Sequence, residues 1–135
     1  MKELRGIVVS GAGNAAFFTR LDWVREQCLQ KLGFEPFPGT LNVEILPESL
    51  AGVQSLRSQK GISIIPADPN FCKAEVIGVS IGGIEAALVI PEAKARIHGN
   101  NTIEVIAPVK LKTTLDIEDG DTVEITVKVD GTADR

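Results

Sequence analysis

Four short stretches of this chain place side chains that can handle a phosphate ester, a divalent cation or a proton. The first is Ser10-Gly11-Ala12-Gly13-Asn14-Ala15-Ala16. Glycines directly after a strand let the backbone turn tightly and let a phosphate come close to the N–H groups. Gly11, Ala12, Gly13, Asn14, Ala15 and Ala16 are therefore candidate nucleotide contacts. The full dinucleotide fingerprint is not met, because Ala16 stands at the last glycine position, and no Walker A sequence occurs. A plain hairpin or bulge loop fits the same residues.

The second stretch is Pro38-Gly39-Thr40-Leu41-Asn42. Thr40 and Asn42 are two apart, so at the start of a strand they share one face. A hydroxyl and an amide oxygen are hard, neutral donors suited to a Mg²⁺ ion that arrives on a nucleotide's phosphates. The alternative is a turn followed by a strand with ordinary polar edges. The third is Glu104, where alternation puts Thr102, Glu104 and Ile106 on one face of a strand and Ile103 and Val105 on the other. A carboxylate among apolar neighbours can accept a ligand's N–H or a hydroxyl proton, although an exposed strand glutamate reads the same way. The fourth is Val109-Lys110-Leu111-Lys112, two lysines on one side of a strand end that can meet phosphates or a base, or simply face solvent. Asp119-Gly120-Asp121 reads as hairpin geometry and not as a metal site, since it lacks the spacing of a calcium loop. His98 has no assignable partner.

The elements that would carry these groups are short. Strand-like runs fall at 5–10, 17–21, 41–46, 62–65, 73–80, 84–90, 102–109 and 122–129. Turn signals separate the later ones at Asp68-Pro69-Asn70, Gly82-Gly83, His98-Gly99-Asn100-Asn101 and Asp119-Gly120-Asp121. One convincing helix spans about 23–32. Asp22 is its expected N-cap, Leu21, Val24, Cys28 and Leu32 with Leu29 its apolar face, Gly33 its left-handed terminator and Phe34 the contact after it. A short helical turn is expected near 49–56. Trp23, Phe17, Phe18, Phe34 and Phe37 gather around the helix and are expected in the core or in a pocket wall, core being the better fit. Strands at this spacing with one crossover helix favour a barrel over a βαβ sheet.

Composition limits the classes. At 135 residues, 44% apolar and 24% charged, the chain suits one domain, taken as 1–129 with a small polar tail at 130–135. The formal charge of −4 and scattered Lys and Arg disfavour nucleic acid, and no apolar run approaches membrane-spanning length. The N-terminus lacks the apolar core of a signal peptide. Two cysteines and one histidine argue against zinc and against a structural disulfide. The expectation is a cytoplasmic monomer with no membrane and no nucleic-acid partner.

Taken in order, these segments resemble one family. They are Gly6-Ile7-Val8-Val9-Ser10-Gly11-Ala12-Gly13, Phe17-Phe18, Leu32 through Asn42 with its Gly-Phe-Glu-Pro-Phe-Pro-Gly-Thr-Leu-Asn run, Ile103-Glu104-Val105-Ile106-Ala107-Pro108, and Leu115 through Val123. The resemblance is to the CTP-dependent riboflavin kinases of archaea and covers nearly the whole chain. It implies a mainly β, six-stranded cradle-loop (RIFT-type) barrel with one main α-helix. It also implies transfer of the CTP γ-phosphate to the riboflavin 5′-hydroxyl, giving FMN and CDP. By the same implication Gly11 to Ala16 hold the nucleotide phosphates, Thr40 and Asn42 hold Mg²⁺, Glu104 contacts the flavin, and Val109, Lys110, Leu111 and Lys112 line the cytidine side. Phosphoryl transfer depends on alignment and charge neutralisation, which makes Lys110 and Lys112 the candidate catalytic cations. Ala15 and Ala16 stand where the family commonly has a third glycine and a larger, often basic residue. That departure motivates an alternative, a non-catalytic flavin- or nucleotide-binding barrel. A DNA-binding regulator is a third reading, disfavoured by the net charge.

Overall fold

The computed structural model describes residues 2–10, 19–52, 62–65, 74–91 and 102–127. Among them run seven strands: β1 (Lys2–Val9), β2 (Leu41–Ile45), β3 (Ile62–Ile64), β4 (Ala74–Ile81), β5 (Ile84–Pro91), β6 (Thr102–Ile106) and β7 (Thr122–Val127). Helix α1 (Asp22–Leu32) precedes β2, a 3₁₀ turn (Pro47–Ser49) follows it, and a single helical turn, α2 (Leu111–Thr114), lies between β6 and β7. All pairings are antiparallel. The order β4-β5-β6-β2-β1-β7 returns to β4 through Val79↔Val127, Ser80↔Thr126 and Ile81↔Ile125, so six strands close a barrel. β3 pairs only with β4 and lies outside that ring. Closure removes the free backbone edges that an open sheet of this size would expose.

Period-two alternation fills the inside. Leu4 and Val8 of β1, Leu41, Val43 and Ile45 of β2, Ile77, Val79 and Ile81 of β4, Leu88 of β5, Ile103 and Val105 of β6, and Val123, Ile125 and Val127 of β7 form one buried cluster. Gly6, in phase with Leu4 and Val8, is small because β2 passes close. A Cβ there would stand 2.4 Å from Val43 Cγ1 and 2.7 Å from the Glu44 carbonyl oxygen.

The opposite phase makes a second, outer layer. Ile64, Val76, Ala87 and Ile106 face away from the barrel axis and are covered by Val24 and Cys28 of α1, with Leu21, Trp23, Leu32, Phe34 and Val89 packed around them. The helix therefore roofs one flank of the barrel. Cys28 is a free, buried thiol in this layer, and burial pushes its pKa up to about 11, which keeps it protonated and inert. Gly33 ends α1 in the left-handed region at φ 87° and donates its N–H to the Cys28 and Leu29 carbonyls, as the sequence indicates. The helix also protects the outlying strand. The Gln27 side chain donates to the Ile65 carbonyl at 2.6 Å and accepts the Ile65 N–H at 2.8 Å, and Lys31 Nζ donates to the Ser63 carbonyl at 2.6 Å.

Several expectations are corrected here. Asp22 is the first helical residue and makes no side-chain cap; Leu21 holds the N-cap position and accepts the Val24 and Arg25 N–H groups through its carbonyl. Leu29 is 54% exposed, because the roofing stripe is narrow and its position on the helix turns past the barrel. The run expected as a strand to 109 stops at Ile106, and Lys110 to Lys112 enter α2 instead. Thr19 and Arg20 form a turn and not the end of a strand. Asp119-Gly120-Asp121 is not a hairpin: β6 pairs with β2 and β5, and the turn docks on β1 through Gly120 N–H to the Val8 carbonyl and Val8 N–H to the Asp121 carbonyl. Phe37 is exposed and lines a cleft, the pocket-wall alternative and not the core, while Phe34 and Trp23 pack as expected. Phe17, Phe18, Cys72, His98 and the tail at 130–135 lie outside the described residues.

Candidate active site

Two strands and one loop build the site. β2 and β6 pair with Asn42 directly opposite Glu104 and Leu41 opposite Val105. Leu41 and Val105 point inward, so Asn42 and Glu104 must project together from the outer face. On the far side of Glu104 stands Val89 of β5, at the margin of the helix-covered layer. Glu104 is thus half-buried, between an amide and an apolar wall. The Thr40 hydroxyl, one residue before β2, donates to Glu104 Oε1 at 3.3 Å. Burial is the larger influence and raises the Glu104 pKa above its ordinary value, while the Thr40 bond opposes it. The three side chains that the sequence singled out at 40, 42 and 104 are therefore neighbours on one face.

The loop carrying Thr40 is held by two backbone N–H bonds. Gly39 N–H donates to Thr19 Oγ1 at 2.7 Å, and Thr19 is wholly buried. Phe37 N–H donates to the Ala107 carbonyl at 2.7 Å. Residues 37–41 and 105–112 so become the two walls of a cleft of about 220 Å³, lined among others by Phe37, Thr40, Val109, Lys110 and Lys112. Thr40 lines this cleft and also bonds Glu104, so it is the residue shared by the cleft and the Asn42–Glu104 face.

The cations of the cleft differ. Lys112 Nζ lies 2.7 Å from Asp119 Oδ1, and the other oxygen of that carboxylate accepts the Ser10 hydroxyl. Lys112 and then Ser10 hold the Asp119 pKa below the usual carboxylate range. Lys110 has no carboxylate partner among the described residues. Ser10 immediately precedes Gly11, so the Asp119 network reaches the start of the glycine-rich stretch. Gly11, Ala12, Gly13, Asn14, Ala15 and Ala16 themselves lie outside the described residues. Thr19 and Asp119 were not legible as site residues, and Phe37 only as a second reading, pocket wall in place of core. A threonine at the end of an apolar run and a phenylalanine between two prolines were the only local signals.

A fit for Mg²⁺ can be judged from the donor set. Thr40 supplies a hydroxyl and Asn42 an amide oxygen, with the Glu104 carboxylate beside them, all hard oxygens of the kind Mg²⁺ prefers. No group of three or more His, Cys, Asp and Glu comes together among the described residues. The set therefore matches an ion held jointly with substrate phosphates.

The family described as CTP-dep_RFKase, Domain of unknown function DUF120, matches residues 8–127, which takes in every element above except most of β1. The chain belongs to this family, the CTP-dependent riboflavin kinases. Among its curated relatives, the riboflavin kinase of Pyrobaculum aerophilum is 40% identical over 129 residues, 93% of this chain and 60% of that protein. The riboflavin kinase of Archaeoglobus fulgidus is 38% identical over 128 residues, 93% of this chain and 54% of the relative. That of Ignicoccus hospitalis is 41% identical over 128 residues, with 93% and 70% covered. The chain thus spans a little over half the length of several relatives it matches. The closed six-stranded barrel agrees with the fold this family resemblance implied. No helix among the described residues is long and apolar enough to cross a membrane.

Proposed function

We propose that this barrel transfers the γ-phosphate of CTP to the 5′-hydroxyl of riboflavin, giving FMN and CDP. The observation that carries the reading is the junction at Thr40. Thr40 is common to a cleft with two lysines and to a face bearing its own hydroxyl, an amide and a carboxylate. In this reading the nucleotide lies in the cleft, and Lys110 and Lys112 balance the charge that builds on the leaving diphosphate. Thr40 and Asn42 would hold Mg²⁺, which would supply charge neutralisation for the phosphates. Glu104 contacts the flavin, and its half-buried carboxylate beside Thr40 supports that role. Gly11 to Ala16 complete the phosphate side. The protein acts as a soluble cytoplasmic monomer.

The test is a kinase assay with riboflavin, Mg²⁺ and each nucleoside triphosphate in turn, with FMN and the diphosphate separated by chromatography. The expected result is FMN formation that prefers CTP and stops when the divalent ion is chelated. Folded protein that forms no FMN with any donor overturns the reading and leaves a binding barrel.

A further inference from the structure

Asp119 touches a cleft residue without lining the cleft. Its Oδ1 accepts from Lys112 Nζ at 2.7 Å and its Oδ2 accepts the Ser10 hydroxyl, while only Lys112 of the three lines the cleft. Stability does not account for this arrangement. The Lys112 and Asp119 side chains are 40% and 47% exposed, and an ion pair so open to water adds little to the folded state. The backbone around Asp119 is nonetheless fixed at many points. Gly120 N–H donates to the Val8 carbonyl at 2.8 Å and Val8 N–H to the Asp121 carbonyl at 2.9 Å, which docks the turn on β1. Glu118 N–H donates to Asp121 Oδ2 at 2.9 Å, and Asp121 N–H returns to the Glu118 carbonyl at 3.0 Å. Ile117 N–H donates to the Lys112 carbonyl at 3.0 Å, so the turn also grips α2, the element that carries Lys112. Asp119 thus sits on a rigid mount between the end of β1 and α2.

Lys112 is the residue this mount acts on. A free lysine stem samples many rotamers, and fixing it on a ligand costs affinity. Lys110, on the same cleft wall, has no carboxylate partner among the described residues and bears that cost, whereas Lys112 is ordered by folding. An ammonium group has three N–H donors, so one on Asp119 leaves the others for a phosphate. Ser10, by holding the second oxygen, keeps the carboxylate from turning with the lysine. We infer that Asp119, oriented by Ser10, is a positioning residue that holds the Lys112 ammonium toward the phosphates of the donor nucleotide. The inference rests on the proposed kinase reading and adds to it a residue outside the cleft. The sign of the effect separates positioning from charge. As a charge alone, Asp119 sets a negative group beside a bound anion, and its removal strengthens binding. As a positioning group, its removal weakens binding, and only while Lys112 is present.

The experiment is a double-mutant cycle read by equilibrium calorimetry at low salt, without turnover. CTP with Mg²⁺, inorganic tripolyphosphate with Mg²⁺, and riboflavin alone are titrated into wild type, Asp119→Ala, Asp119→Asn, Lys112→Ala and the protein carrying both alanines. Asp119→Ala is expected to weaken CTP and tripolyphosphate alike by about 2- to 12-fold, the cost of ordering one long side chain. Riboflavin, which carries no phosphate, should stay within about twofold and so report an intact barrel. Asp119→Asn, which keeps one acceptor and loses the charge, should fall between wild type and Asp119→Ala. In the Lys112→Ala background the loss of Asp119 should cost nothing or should tighten both anions. Tighter CTP binding, or no change, on Asp119→Ala alone overturns the inference and makes Asp119 a competitor for Lys112 or a bystander. An equal loss in both backgrounds overturns it too, because Asp119 then acts otherwise than through Lys112. A loss for CTP with tripolyphosphate unchanged overturns it by turning Lys112 away from the phosphates. A riboflavin loss as large as the CTP loss in both Asp119 variants shows a distorted barrel and refutes a positioning role. Wild-type protein that binds both anions but forms no FMN removes the kinase reading, while the cycle still decides the inference. Wild-type protein that binds neither anion removes both.

Discussion

Replacing Thr19 by valine tests whether one buried hydroxyl positions the site from outside it. Thr19 is wholly buried, and its Oγ1 accepts the N–H of Gly39 at 2.7 Å, one residue before Thr40. Valine has nearly the same shape and no acceptor. The change therefore removes a hydrogen bond and leaves a partly buried N–H unsatisfied, at a cost of about 1–3 kcal/mol. For a domain of this length 1 kcal/mol moves Tm by roughly 3–5 °C, so Thr19→Val should melt about 3–15 °C below wild type. The second effect is functional. Freed from Thr19, the turn carrying Thr40 loses its fixed distance to Asn42 and Glu104, and misplacement of about 1 Å can cost on the order of 100-fold in rate. Calorimetry gives Tm, and steady-state kinetics well below the lower Tm gives kcat and the Mg²⁺ concentration for half-maximal rate. The expected result is a lower kcat and a raised Mg²⁺ requirement in Thr19→Val, with Thr19→Ser close to wild type in both. Thr19→Val that melts and turns over like wild type refutes the anchoring argument. A Tm loss with unchanged kinetics confines Thr19 to stability.

Glu104→Gln should change the pH dependence of stability in a defined direction. Burial raises the folded-state pKa above the unfolded value, so the folded protein binds the proton more tightly and the carboxyl's contribution is full at acid pH. That contribution is lost as pH rises through the raised pKa, so urea denaturation should show wild type falling relative to Glu104→Gln from the ordinary carboxylate range upward. Parallel pH curves for the two proteins would count against the burial argument. Gly6→Ala should cost about 2–3 kcal/mol in urea denaturation, because the new methyl group meets Val43 and the Glu44 backbone in a closed barrel. A loss under about 0.5 kcal/mol would show that β1 and β2 can separate there. Lys112→Ala should weaken CTP binding about tenfold at low salt and flatten its salt dependence, read by the same calorimetry. Unchanged affinity would assign phosphate contact to Lys110 and the glycine-rich stretch instead.

The sequence determined what depends on local pattern. Strict alternation in Leu41-Asn42-Val43-Glu44-Ile45 and Ile103-Glu104-Val105 marked two strands and separated their inward from their outward residues. The faces observed follow that pattern because a pleated strand has no other way to dispose of its side chains. Val24 and Cys28 fixed the buried stripe of α1, and Gly33 its end, for equally local reasons. The Thr40 and Asn42 pair was legible as one face, and Glu104 as a carboxylate among apolar neighbours.

Only tertiary structure decided that these belong together. The pairing of Asn42 with Glu104 joins residues 62 positions apart, and its register is set by barrel closure and not by either strand alone. The run after Ile106 has the apolar and basic residues of a continuing strand, yet it turns into α2 although β5 extends past Ile106 to Ile84; Pro108 lacks the N–H that a continued ladder needs. Leu29 and Phe37 look like core residues in composition but face solvent, since burial depends on which side another element covers. The Asp119 turn resembles a hairpin in sequence and instead docks on β1, where its carboxylate reaches both Ser10 and Lys112. Chain chemistry supplied the donors of this site; the long-range pairings of a closed sheet brought them within reach of one another.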